Sequence, residues 1–132
     1  GKLAAGFTTA FEKTEKYIDD NAAVALKLGK PLVIEEFGLP RDGQSFGPAS
    51  TTNLRDQYFG KILSRIGKQN ISGANFWAFG GTARPIKGQL FWKEGDERMG
   101  DPPMEEQGLN SVFDSDRSTW KVINAARARL SK

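Results

Sequence analysis

Two short apolar runs constrain this chain more than any other feature: Pro31-Leu32-Val33-Ile34-Glu35-Glu36-Phe37 and Ile71-Ser72-Gly73-Ala74-Asn75-Phe76-Trp77-Ala78-Phe79. Each follows a stretch of helical periodicity, and a third such stretch closes the chain. Thr9 and Glu12 form a capping box, which predicts a helix starting near residue 10. Phe11, Ile18, Ala22, Ala25 and Leu26 share one face of it, and Gly29 and Pro31 end it. A Gly/Pro/Ser-rich loop runs from Gly38 to Ser50, after which Thr51 or Thr52 caps a second helix. That helix carries Leu54, Tyr58, Ile62 and Ile66 on one face, widened by Phe59 and Leu63, and stops at Gly67 and Asn70. The last helix begins near Ser118, with Trp120, Ile123 and Leu130 along one side. Strands alternating with amphipathic helices imply β-α-β crossovers and a parallel sheet.

Two strands are too few. A two-stranded parallel sheet has both edges open and buries its faces poorly, so a lone chain of this kind is expected to dimerise, swap or aggregate. A (β/α)8 barrel needs about 250 residues, against the 132 present. Either the long loop from Gly80 to Arg117 holds strands without a visible pattern, or, as the arithmetic favours, the chain is a piece of an α/β barrel lacking its first five or six units. The start, Gly1-Lys2-Leu3, reads as a fragment or processed piece rather than a signal peptide.

Composition narrows the chemistry. The chain has no histidine and no cysteine, which excludes Ser-His and Cys-His catalysis, disulfides, and His- or Cys-ligated metals. Acid–base work must rest on carboxylates, Lys or Tyr. The formal charge of +3 is small and the arginines are interleaved with acids, so Arg41, Arg55 and the others read as a solvated surface of mixed charge and not a nucleic-acid stripe. No apolar run reaches the ~18 residues of a membrane-spanning helix.

In a parallel barrel the active site lies at the C-terminal ends of the strands. Glu36 sits there. Taken as inward-facing it puts Leu32 and Ile34 inward below it, with Val33 and Glu35 toward the helices. Strand position alone leaves Glu36 either a cleft carboxylate or a structural one, whereas Glu35 reads as a buried salt-bridge partner. Asn75 and Trp77 share one face near the end of the second strand, with Gly73 below. Trp77 there is either a sugar platform or a core tryptophan. The irregular span from Gly80 to Arg117 is long for a compact domain, which favours a functional loop. It carries Arg84, Phe91, Trp92 and several acids. Trp92 and Arg84 suit carbohydrate binding, Phe91 suits a local apolar cluster, and the acids lack the regular spacing of a calcium loop.

These residues have a family likeness. Lys30-Pro31-Leu32-Val33-Ile34-Glu35-Glu36-Phe37-Gly38 resembles the seventh-strand motif of glycoside hydrolase family 5, where a glutamate directly before an aromatic-Gly pair is the nucleophile. Gly73-Ala74-Asn75-Phe76-Trp77-Ala78-Phe79-Gly80-Gly81 resembles the eighth strand, whose tryptophan lines the cleavage subsite. Gly100-Asp101-Pro102-Pro103 and the run from Glu105 to Asp114, leading through Asp116 into Ser118-Thr119, are similar to bacterial endo-β-1,4-mannanases of that family.

The resemblance implies that residues 1–132 are the C-terminal part of a (β/α)8 catalytic domain, about strands seven and eight with helices six to eight. It implies a retaining endo-β-mannanase acting on β-mannan, with Glu36 as nucleophile, Trp77, Trp92, Asn75 and Arg84 as substrate-binding residues, and no metal or cofactor. It also implies a location outside the cytoplasm. A β-1,4-glucanase of the same family and a non-catalytic carbohydrate-binding fragment are the alternatives. The family's acid/base glutamate lies in an Asn-Glu pair, and this chain has none. The N-terminal part of the barrel is thus the expected partner, and the chain alone is expected to be inactive.

Overall fold

The computed structural model describes residues 2–131, with side chains from Gly6 onward. Three α-helices, one 3-10 turn and four short strands follow in the order α1 (Lys2–Lys27), β1 (Leu32–Phe37), the 3-10 turn (Asp42–Gln44), α2 (Asn53–Leu63), β2 (Ile71–Phe76), β3 (Phe79–Gly81), β4 (Val112–Phe113) and α3 (Arg117–Leu130). Strands β1 and β2 pair in parallel, as do β3 and β4, giving two two-stranded sheets.

Helix α1 starts at Lys2, well before the Thr9 capping box. An i,i+4 aromatic pair carries the helix through that point: Phe7 stacks on Phe11 with ring centroids 6.3 Å apart, and Phe11 meets Tyr58 edge-on at 6.1 Å. Its other end is as expected. Gly29 has φ +64° and its N–H donates to Leu26 O at 3.0 Å, while Lys30 N–H reaches Ala25 O at 2.9 Å. That pair of bonds is the Schellman closure, and a positive φ there favours glycine. Phe11, Ile18 and Ala22 are buried as expected, but Leu26 stays exposed, as does Leu130 on α3.

Helix α2 is capped, but not by Thr51 or Thr52. Asp42, eleven residues upstream of the helix, accepts the Asn53 and Leu54 N–H groups at 2.9 and 3.0 Å and the Thr51 hydroxyl at 2.6 Å. Thr52 occupies the cap position, yet its hydroxyl turns to Asp56 at 3.1 Å and Ser118 at 2.9 Å, tying α2 to α3. Burial raises the Asp42 carboxyl, but the bonds from Thr51, Leu54 and Asn53 outweigh it and hold the group below its ordinary value.

All three helices cover the same face of the β1–β2 sheet. Ile18, Ala22, Phe37, Phe59, Ile62, Leu63, Ile66 and Ile71 form one apolar core, with Leu32, Ile34, Ala74, Phe76, Trp120 and Ile123 packed on it. The opposite face is open: Val33, Glu35, Glu36, Ser72 and Asn75 are exposed. A second, smaller cluster of Ala83, Met99 and Phe113 holds the long loop together. Phe91 is not part of it and is half exposed at 50%.

The long span is more regular than its sequence shows. The second apolar run breaks after Phe76 and resumes as β3, which finds its partner β4 some thirty residues on. Neither segment is long enough to announce itself by periodicity.

Candidate functional site

Leu32 and Ile34 face the helices, the reverse of the sequence-based expectation, and Val33 faces away from them. A β-bulge reverses the parity higher up. From Ile34 to Phe37 β1 takes three steps while β2 takes two, Ala74 to Phe76. The added residue leaves Phe37 buried against Phe59, with ring centroids 4.9 Å apart. Alternation back from Phe37 then sends Glu36 to the open face. Bulges re-aim side chains near functional sites in this way. Glu35 is exposed and makes no ion pair among the described residues, so it is not the buried salt-bridge partner its position suggested.

Strand β2 brings its residues to the same rim. Gly73 and Asn75 lie on the open face with Val33, whose methyls stand 3.9 and 4.0 Å from where a Gly73 Cβ would be. Asn75 is exposed. Trp77 follows Phe76 and is half-buried; its N–H donates to Phe37 O at 2.6 Å. The Trp77–Ala78 peptide bond is cis. Because β1 and β2 are parallel with Phe37 opposite Phe76, Glu36 and Trp77 leave the sheet at the same end on neighbouring strands. Gly38 permits this closeness, since a Cβ there would lie 2.4 Å from Trp77 O.

Trp92 and Arg84 stand elsewhere. They line a cleft of about 250 Å³ in the long loop together with Asp96, Glu97, Met99 and Gln107. The Trp92 indole N–H donates to Asp96 O at 3.0 Å, and the Arg98 guanidinium lies over its ring at 4.4 Å from the centroid. Arg84 pairs with Asp114 at 2.5 Å and lies 5.2 Å from the Phe113 centroid. The Arg84 guanidinium lowers the Asp114 carboxyl below its ordinary value, chiefly through that hydrogen bond. Glu36 lines a different groove of about 320 Å³, between α1 and the free edge of β1, with Tyr17, Asn21 and Tyr58. Of the five candidates, then, Glu36, Trp77 and Asn75 share one rim, and Trp92 and Arg84 share a loop cleft. Among the described residues no group of three or more Asp or Glu side chains could hold a metal ion.

Beneath the rim lies a buried charge cluster that composition did not reveal. Arg41 and Arg55, expected on the solvated surface, are both 0% exposed. The Asp116 carboxylate accepts from Arg41, from Arg55 at 3.4 Å and from the Phe113 N–H at 2.8 Å. Backbone carbonyls satisfy most of the remaining donors: Arg55 Nε binds Leu39 O at 2.6 Å, and both guanidiniums reach Ser111 O, at 3.2 and 3.3 Å. Burial, and then the charge of Arg41 beside it, bring Arg55 down to about 10, against the pull of Asp116 and two further acids. Asp101 is buried next door and accepts from Gly108 N–H at 2.9 Å and from the Ser111 hydroxyl at 2.6 Å. A loop arginine following Gly38-Leu39-Pro40 carries no periodic signal, so charge counting places it in water by default.

The chain matches the model of the family described as "GH family 5 beta-mannosidase-like" over residues 2–132. No curated protein matches it. Three solved structures from Rhizomucor miehei superpose well. A glycoside hydrolase family 5 mannosidase is 30% identical with a TM-score of 0.78, over 95% of this chain and 32% of that one. A mutant of a family 5 mannosidase in complex with mannosyl-fructose gives 28% identity and 0.77 over the same shares. A second mutant gives 29% and 0.76, over 92% of this chain and 31% of its own. The chain thus spans about a third of the length of the solved chains it matches, which accounts for its two-stranded, one-sided sheet as a portion of an α/β barrel. Its parallel strands, its helices on one sheet face and the family match over nearly every residue agree: the chain belongs to the β-mannosidase-like group of glycoside hydrolase family 5.

Proposed function

We propose that this chain is the nucleophile-bearing part of a retaining β-mannan-directed glycoside hydrolase, with Glu36 as nucleophile and Trp77 as the platform under the sugar being cleaved. The observation that carries the reading is the shared rim: Glu36 and Trp77 sit at the C-terminal ends of adjacent parallel strands, outside the apolar core that packs against the helices. In a barrel that side is the interior and that end is the catalytic one.

Retention needs two carboxyl groups about 5–5.5 Å apart, one attacking the anomeric carbon and one protonating the departing oxygen. Glu36 performs the attack in this reading. The ester it forms is then hydrolysed by water, and the acid/base glutamate comes from the N-terminal part of the barrel. Trp77 offers an apolar face to the C–H side of the pyranose while Asn75, exposed beside it, supplies hydroxyl contacts. The groove along the free edge of β1 is where the preceding barrel strand would pair. In this reading, which follows the family likeness, the enzyme works outside the cytoplasm.

Endo and exo action divide here. The motif likeness favours an endo-mannanase; the solved relatives named mannosidases favour an exo-acting β-mannosidase. Product analysis on β-mannan with the complete barrel separates them, since oligomers mark the first and mannose alone the second. The nucleophile is tested with Glu36→Gln. Turnover of an aryl β-mannoside should fall on the order of 10⁴-fold or more with oligosaccharide binding retained. Glu36→Ala should regain activity with azide, releasing an inverted glycosyl azide. Unchanged turnover in Glu36→Gln removes the reading.

A further inference from the structure

We infer that Arg55, with Arg41 and Asp116, is a positioning residue that sets the distance between Glu36 and Trp77 by clamping the exits of β1 and β2 to one buried segment; this rests on the hydrolase reading above.

The connections run through the backbone on both sides. On the β1 side, Arg55 Nε donates to Leu39 O at 2.6 Å, three residues beyond Glu36. On the β2 side, Ala78, next to Trp77, is gripped twice: its N–H donates to Asn110 O at 3.2 Å and its carbonyl accepts from Val112 N–H at 2.7 Å. Between those two residues stands Ser111, whose carbonyl takes Arg55 at 3.2 Å and Arg41 at 3.3 Å. Arg55 also reaches Leu109 O at 3.3 Å, and Asp116 fixes both guanidiniums. One planar fork therefore holds the chain leaving the nucleophile strand and the segment that brackets Ala78, the residue directly after the tryptophan. Lysine has no such fork.

Stability alone is a poor explanation for the cluster. Buried ion pairs are often matched or bettered by apolar side chains of the same volume, and an apolar residue would have spared the chain two desolvated guanidiniums. What an apolar residue lacks is direction. Placement within a fraction of an ångström is what catalytic constellations require of the residues behind them.

The test uses the complete barrel and two readouts. Arg55→Lys keeps the charge and loses the fork. Backbone hydrogen exchange at Trp77, Ala78 and Val112 should quicken by about tenfold or more, while the amides of the central β1–β2 pairing keep their protection. On an aryl β-mannoside, kcat should fall by about tenfold or more with KM within about twofold, the split expected when transition-state geometry suffers and ground-state binding does not. Asp116→Asn, which keeps the acceptor for Phe113 N–H, should show the same pattern and serves if Arg55→Lys does not fold. A variant that folds with protection at Trp77 and Ala78 intact and kcat unchanged, or one that loses protection everywhere alike, overturns the inference. Glu36→Gln run in parallel keeps the two ideas apart: if it retains turnover the hydrolase reading fails, while the exchange pattern still judges the clamp.

Discussion

Gly38→Ala gives the sharpest test of the rim geometry. A Cβ on Gly38 would stand 2.4 Å from Trp77 O and 3.3 Å from Trp77 C, both backbone atoms. Ordinary contact begins at 3.4 Å, so the shortfall to the oxygen is 3.4 − 2.4 = 1.0 Å. No rotamer change relieves it. The Trp77 carbonyl is flanked by the N–H bond to Phe37 O at 2.6 Å and by the two bonds of Ala78, so the strain goes into sliding one strand exit past the other. Overpacking of this kind costs about 1–3 kcal/mol, and a misplacement of about 1 Å at a catalytic group costs on the order of 10²-fold in rate. Urea denaturation and aryl-mannoside turnover of the complete barrel measure the two effects. Gly6→Ala is the matched control, because a Cβ there meets nothing within 4 Å near the start of α1. It should stabilise by roughly 0.5–1 kcal/mol through helix propensity. If Gly38→Ala tracks Gly6→Ala in both assays, the two strand exits are not in contact and the argument for the rim collapses.

Phe59 is 0% exposed, with its ring 4.9 Å from Phe37 and 5.8 Å from Phe76, so Phe59→Ala should cost about 3–5 kcal/mol in urea denaturation; a loss under about 1 kcal/mol would mean the core is not centred there. Asp42→Ala removes the cap of α2 and should cost roughly 0.5–2 kcal/mol at neutral pH. Because the folded Asp42 lies below its ordinary value of 3.8, its contribution is complete above that value and is lost as pH falls through the lower folded one. The gap between wild type and Asp42→Ala should therefore be flat at neutral pH and close in acid. A gap that persists unchanged at pH 2 assigns the stabilisation to something other than the carboxylate.

The order of elements was legible because it rests on local physics. Gly29 and Pro31 ended α1 where a left-handed closure was needed, and the apolar spacing of Ile18, Ala22, Phe59 and Ile62 marked the faces that are buried. The rim residues were legible for a related reason: Glu36 and Trp77 each lie near the C-terminal end of an apolar run, so both could be placed at one end of a parallel layer.

Other features depended on distant partners. The parity of β1 was misread because a bulge is a mismatch between two strands and leaves no mark on either one. Thr52 looked like a cap and Asp42 did not, because the winning carboxylate comes from outside the helix. Strands β3 and β4 pair across some thirty residues with too few positions each to show a period.

From its sequence alone, then, this protein determines a parallel helix-and-strand order and a carboxylate and an indole at matching strand ends, since spacing along the chain fixes both. Only the tertiary structure decided which face Glu36 takes, and that Arg41 and Arg55 lie buried beneath the rim and not in water. Both outcomes depend on the desolvation and hydrogen bonding of groups that meet through space, and one-dimensional spacing carries no record of those encounters.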